Sequence, residues 1–197
     1  MNGLSTAGLY LIQTLGGLYL LIVLLRFILR LVRADFYNPL SQFVVKATKP
    51  LLNPLRKLIP GIGGIDFASL VLAYLVQLLV MLLCLLLLGA SPLAWLPALL
   101  GWAAIGVLAV FLKVFWFALI ASVILSWVAP HSHNPGALLM NQICEPLLRP
   151  IRRLLPNLGG FDLSPIFAFI ALNLLDMLVV KNLAHLAGMP AALALLL

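Results

Sequence analysis

The stretch Asn38-Pro39 … Lys49-Pro50-Leu51-Leu52-Asn53-Pro54-Leu55-Arg56-Lys57-Leu58-Ile59-Pro60-Gly61-Ile62-Gly63-Gly64-Ile65-Asp66 occurs twice in this chain. It returns as Asn134-Pro135 … Glu145-Pro146-Leu147-Leu148-Arg149-Pro150-Ile151-Arg152-Arg153-Leu154-Leu155-Pro156-Asn157-Leu158-Gly159-Gly160-Phe161-Asp162, at an offset of 96 residues with no gap. Long apolar runs flank both copies. An internal repeat decides architecture before any single motif does. Each copy predicts a membrane helix, a basic amphipathic hairpin and a second membrane helix.

Composition supports a membrane setting. Hydrophobic residues make up 64% of the 197 and charged residues only 9%, with a mean hydropathy of +1.20. A soluble domain carries roughly 25% charge, so too little polar surface exists to cover a water-exposed globule. Four runs reach the ~20 residues that a spanning helix needs: about 7–29, 67–88, 102–128 and 163–183. The first has no positive charge before it and is too long for a signal-peptide core, so it reads as a retained helix. The expected fold is an all-α membrane protein of four transmembrane helices. They form two tandem parallel repeats, each with a cytoplasmic, amphipathic, proline-broken helical hairpin. Residues 1–90 form the first repeat, 91–101 an uncharged interfacial connection containing Pro92, Trp95 and Pro97, and 102–197 the second repeat.

Charge sets the orientation. Ten of the twelve basic residues lie in or beside the repeated hairpins: Arg26, Arg30, Arg33, Lys46, Lys49, Arg56, Lys57, Arg149, Arg152 and Arg153. By the positive-inside rule both hairpins face the cytoplasm and both termini the outer side.

Within the hairpin, Asn38 and Asn134 are suited to cap a helix whose first turn holds Pro39 or Pro135. Leu40, Val44, Ala47, Leu51, Leu55 and Leu58 recur at helical spacing, with Gln42, Lys46, Lys49, Asn53, Arg56 and Lys57 opposite. Interior prolines remove donors and clash with the preceding turn. Bends are therefore expected near Lys49–Pro54 and Glu145–Pro150, with stops at Pro60 and Pro156. Gly63-Gly64 and Gly159-Gly160 give the backbone freedom to turn upright. Asp66 and Asp162 precede the next apolar runs as N-caps, free also to pair with a basic residue of their own or the other hairpin, for instance Asp66 with Arg152. The basic residues Lys46, Lys49, Arg56, Lys57, Arg149, Arg152 and Arg153 serve as topology signals, and they can also bind anionic lipid headgroups or a partner protein.

Two charges fall inside the spans, Lys113 in the third and Asp176 in the fourth. Each costs roughly 2.5–3.5 kcal/mol at a bilayer centre. They lie at similar depth on antiparallel helices, so an intramembrane Lys113–Asp176 pair is expected. It locks helix three to helix four or lines an ion path. Gln77 and Asn173, at equivalent repeat positions, are placed to hydrogen-bond across the core. Gly16-Gly17 allows close helix approach, and Gly101, Ala103, Ala104 and Gly106 form a face on which a second copy can pack. Cys84 and Cys144 read as buried filler. His131 and His133 lack further ligands at metal spacing. No nucleophile–base arrangement, phosphate loop or nucleic-acid motif occurs, so no catalytic residue, metal, cofactor or direct nucleic-acid contact is expected.

The segment Arg33-Ala34-Asp35-Phe36-Tyr37-Asn38-Pro39-Leu40 and the two Pro-Leu-Leu-x-Pro stretches running to Gly-Gly-x-Asp resemble the YggT family, also called YlmG in Gram-positive bacteria and plastids. Ser126-Trp127 resembles the family's Ser-Trp pair, where the first repeat has Arg30-Leu31. The resemblance implies a small integral protein of the bacterial cytoplasmic membrane without known enzymatic activity. Its relatives are associated with cell division or nucleoid distribution, with cytochrome maturation in plastids and with osmotic stress. The expected function is a non-catalytic membrane scaffold or assembly factor presenting a basic surface to anionic lipid or a partner protein. The alternative is a channel or ion-uptake component in which Lys113 and Asp176 matter most.

Overall fold

The computed structural model describes residues 3–61, 63–91, 94–128, 134–155, 162–190 and 193. Helix α1 spans Gly3–Leu31, α2 Pro39–Leu58, α3 Phe67–Leu87, α4 Leu96–Val128, α5 Pro135–Leu154 and α6 Ser164–Leu175. A π-helical segment, Asp176–Lys181, continues α6 into α7, Asn182–Leu186. Among the described residues four helical stretches are long and apolar enough to cross a membrane: α1, α3, α4 and the continuous run Ser164–Leu186. The chain is a multi-pass membrane protein. Helix α4 starts within the expected connection, where Pro97 falls in its first turn and so removes no ladder bond.

Small residues decide how closely the helices meet. Gly16 of α1 lies directly against Val80 of α3, where a Cβ would collide with the valine methyl, and Gly106 of α4 receives the buried side chain of Gln77 in the same way. Around these contacts Leu20, Val23, Leu24, Leu72, Ala73 and Val110 form one apolar core. Leu9, Val80, Met81, Leu85, Leu99 and Trp102 form another toward the N-terminal end of α1. The pairing expected between Gln77 and Asn173 does not occur. Gln77 is enclosed by Gly106, while Asn173 is exposed and donates to its own helix at Phe169 O, 2.9 Å. Both cysteines are free and buried.

The amphipathic segments differ from expectation in one respect. Each is one continuous helix rather than two short ones: α2 holds Pro50 and Pro54 inside it, and α5 holds Pro146 and Pro150. All four prolines are exposed. The carbonyls they leave without a donor therefore lie away from the packed side, and no buried ladder bond is lost. The helices end at Leu58 and Leu154, each two residues before the expected stop.

Candidate functional site at the amphipathic-helix end of the bundle

Both amphipathic helices begin in the same way. Asn38 Oδ1 accepts from Leu40 N at 3.0 Å and Asn134 Oδ1 from Gly136 N at 2.9 Å, each satisfying an orphan amide ahead of a proline-led first turn. The two starts also touch. Asn38 Nδ2 donates to Pro135 O at 2.6 Å, and Asp35 N donates to Gln142 Oε1 at 3.1 Å. Helices α2 and α5 therefore meet at one end of the bundle.

Helix α2 divides into three sectors at 100° per residue. Ser41, Val44, Thr48 and Leu52 are buried against the bundle, with Thr48 Oγ1 returning its hydrogen bond to Val44 O at 2.8 Å. Lys46, Lys49, Asn53 and Lys57 are exposed on a second side. Leu40, Phe43, Leu51 and Leu58 are exposed on the third. The packed stripe shares Val44 with the apolar series that the sequence suggests and otherwise lies one residue beyond it, at Ser41, Thr48 and Leu52. An exposed basic row beside an exposed apolar row suits a helix lying at an apolar–aqueous boundary. In α5, Arg149 and Arg153 are likewise exposed.

After α2 the chain turns at Gly63 and Gly64, whose φ values of 62° and 87° lie in the left-handed region that glycine enters without penalty. This turn delivers Asp66 to the start of α3, where the carboxylate is 2% exposed. Asp66 makes no side-chain cap to the helix backbone, contrary to expectation. Its Oδ2 is taken by Arg56, by Arg30 Nη1 at 3.2 Å and by Ser69 Oγ at 2.8 Å. Gly61 leaves the room Arg30 needs, since a Cβ there would stand 3.1 Å from its Nη2. Burial pushes the Asp66 carboxyl up. The hydrogen bonds from Arg56 and Ser69 and the charges of Arg56 and Arg30 outweigh it and hold the carboxyl below the usual carboxylate range.

The second repeat keeps half of this arrangement. Arg152 Nε donates to Asp162 Oδ2 at 2.9 Å, ten residues away as Arg56 is from Asp66. Asp162 Oδ1 also accepts from Ser164 N at 2.9 Å, so here the expected N-terminal capping contact is made. Each aspartate thus pairs within its own repeat; Asp66 does not meet Arg152. Arg152 additionally binds Glu145 Oε2 at 2.9 Å. In the first repeat one carboxylate gathers two cations, and in the second one cation gathers two carboxylates. Burial works to lower the Arg152 guanidinium, but its bonds to Asp162 and Glu145 carry it above its ordinary value. Gly159, Gly160, His131 and His133 lie outside the described residues.

The intramembrane charges sit elsewhere. Lys113 and Asp176 line one cavity of about 270 Å³ with Trp116, Phe117, Leu172 and Asn173. They do not form the expected ion pair. Asp176 Oδ2 binds Lys181 Nζ at 3.0 Å instead. Positions five apart stack in a π-helix but not in an α-helix, so the π segment creates a partner that α-helical counting hides. The equivalent place in the first repeat is closed, because Gly16 and Val80 pack there. The second repeat has Leu112 and Asp176 at those positions.

The sequence alone marks Arg26, Arg30 and Arg33 as orientation signals only. The structure brings them together with Arg56 and Ser41 around a cavity of about 340 Å³. Their i, i+4, i+7 spacing on one face of an otherwise apolar helix is the available signal.

Fold and site define a four-span helical membrane protein whose two sequence repeats each carry an amphipathic helix latched by an Arg–Asp pair. A family model described as CCB3/YggT matches residues 5–87 and again 101–183, and the chain belongs to that family. It is 69% identical over 197 residues, all of both chains, to an uncharacterised protein of Pseudomonas aeruginosa. It is 39% identical over 174 residues to the uncharacterised protein YggT of Escherichia coli K12, covering 88% of this chain and 89% of that one. A shorter similarity, 38% over 66 residues, reaches the chloroplastic YlmG homolog protein 2 of Arabidopsis thaliana, covering 32% of this chain and 25% of that one. No solved structure matches the chain.

Proposed function

We propose that this protein is a non-catalytic scaffold or assembly factor of the bacterial cytoplasmic membrane. Its repeats run parallel about an axis along the membrane normal, with α2 and α5 on the cytoplasmic side and both termini outside. The two amphipathic helices together present one basic surface to anionic lipid headgroups or to a partner protein. The observation that carries this reading is the three-sided character of α2: Lys46, Lys49 and Lys57 are exposed beside the exposed Leu40, Phe43, Leu51 and Leu58. Each cation near an anionic leaflet contributes about 1 kcal/mol, and the apolar row anchors the helix at that depth. Arg56 and Arg152 serve this surface indirectly, by holding Asp66 and Asp162.

The test extracts the protein with its surrounding lipid in polymer-bounded discs and compares lipid composition by mass spectrometry. Wild type should enrich anionic lipid over the bulk membrane. A variant with Lys46, Lys49, Lys57, Arg149 and Arg153 all changed to Glu should lose that enrichment while remaining inserted. Retained enrichment would refute the reading.

A second reading rests on the cavity shared by Lys113 and Asp176 and on the π-helical turn beside it. Lys113 and Asn173 are exposed on the flank of the bundle, so an ion path there needs a second copy to close it. Cation flux in proteoliposomes that disappears in Lys113→Ala would favour a channel or ion-uptake component over the scaffold. Absence of flux under every imposed gradient would remove it.

A further inference from the structure

Arg26, Arg30, Arg33 and Arg56 surround the cavity of about 340 Å³ together with Ser41. Among the described residues one carboxylate, Asp66, forms ion pairs with any of these four guanidiniums, and Arg30 and Arg56 are the two that reach it. Arg26 Nε, Arg56 Nε and Ser41 Oγ are buried without a hydrogen bond among the described residues. Unmet donors of this kind in a walled, positively charged space call for an anion with several acceptor oxygens.

Two further observations separate this cluster from ordinary topology signals. The repeat supplies an internal control, since the residues equivalent to Arg26, Arg30, Arg33 and Ser41 are Ser122, Ser126, Ala129 and Ala137. Only the Arg56–Asp66 pairing is duplicated, as Arg152–Asp162, and Arg26 and Arg33 take no part in it. Arg33 also adopts φ +53°, a left-handed backbone that ordinarily favours glycine at a helix end. A strained arginine there implies a use for its side chain.

We propose that this cavity binds one phosphate group, supplied by the headgroup of an anionic phospholipid. The inference rests on the membrane placement given above and names the ligand class of one site within it. Depth favours the lipid source. Arg26 lies about one turn inside the end of α1, Arg30 in its last turn and Arg33 just beyond it. Leu29, Phe36 and Val45 complete the cavity wall and offer an apolar side to the glycerol and acyl carbons. Guanidinium groups bind phosphate oxygens in pairs, which a lysine cluster would not do.

The test uses the full chain in detergent, with native mass spectrometry to count retained lipid. Dioleoyl phosphatidylglycerol, dioleoyl phosphatidylcholine and inorganic phosphate are supplied in separate arms. One phosphatidylglycerol should stay bound per chain at concentrations where phosphatidylcholine does not. Arg26→Gln should weaken this about tenfold. Arg33→Gly should raise the melting temperature in lipid-free detergent, because glycine suits the left-handed backbone, and yet weaken lipid retention; a folding defect cannot produce that combination. Inorganic phosphate that raises the melting temperature of wild type but not of Arg26→Gln, and displaces the lipid, would assign the same site to free phosphate. Equal retention of both lipids with no phosphate effect would overturn the proposal, as would wild-type binding in both arginine variants. The combined Lys46→Gln, Lys49→Gln, Arg149→Gln and Arg153→Gln variant should keep its single lipid even where disc enrichment is lost. If that variant alone loses the lipid, the cavity is not the site and the surface reading stands without it.

Discussion

Replacing Asp66 by Asn should cost far more stability than replacing Asp162 by Asn, although the two occupy equivalent repeat positions. The Asp66 side chain is 2% exposed and that of Asp162 45%. The amide introduced by Asp66→Asn would keep an acceptor for Ser69 but lose the charge that holds Arg30 and Arg56. The charge-assisted hydrogen bond from Arg56 contributes about 1.5–3 kcal/mol, and the ion pair with Arg30 adds to it. The arginine side chains are 43% and 31% exposed, so water recovers part of that loss. A net destabilisation of about 2–3 kcal/mol follows for Asp66→Asn, against about 1 kcal/mol or less for Asp162→Asn. Unfolding in mixed micelles with rising SDS, followed by tryptophan fluorescence, measures both. The sign with pH also follows. The folded Asp66 carboxyl is held below its unfolded value near 3.9, so its contribution is complete above that value and fades as pH falls through the lower folded one. Equal costs for the two variants, or a wild-type advantage that grows as the medium is acidified, would refute the reasoning.

Other outcomes test the packing. Gly16→Ala should destabilise by about 1–3 kcal/mol through overpacking against Val80, while Gly17→Ala, which meets open space, should be neutral or gain up to about 1 kcal/mol of helix propensity; the same SDS titration compares them. Pro50→Ala should leave the helical circular dichroism unchanged and should not destabilise, because α2 already runs through that position with the proline exposed. Burial pushes the Cys144 thiol up to about 12, so maleimide modification near neutral pH should require unfolding. Rapid labelling of the folded protein, read by intact mass, would contradict the burial of that residue.

Much of the architecture can be read from residues alone, because a 96-residue offset, four apolar runs and paired Asn-Pro starts are local signals. The Gly63-Gly64 turn is legible for the same reason: only a left-handed need explains glycines there. Pro50 and Pro54 mislead because a breaker's cost depends on which carbonyls it orphans, and exposure at those positions is a tertiary fact. The Asp176 partner is hidden by a π turn that helical periodicity does not announce. Asp66 reads as a cap because its position fits one, whereas the arginines that claim it arrive from α1 and α2. The Arg26, Arg30 and Arg33 face is visible as spacing, but its convergence on Arg56 and Ser41 needs the packing of α2 against α1.

On the scaffold proposal the two basic amphipathic helices share one side of the membrane. Lys57→Cys and Arg153→Cys occupy equivalent, exposed positions near the ends of α2 and α5. Each would be placed singly in a chain with Cys84 and Cys144 changed to Ala. A membrane-impermeant maleimide added to intact cells should label neither cysteine until the membrane is opened, and then label both. Labelling of one position but not the other in intact cells would contradict the account.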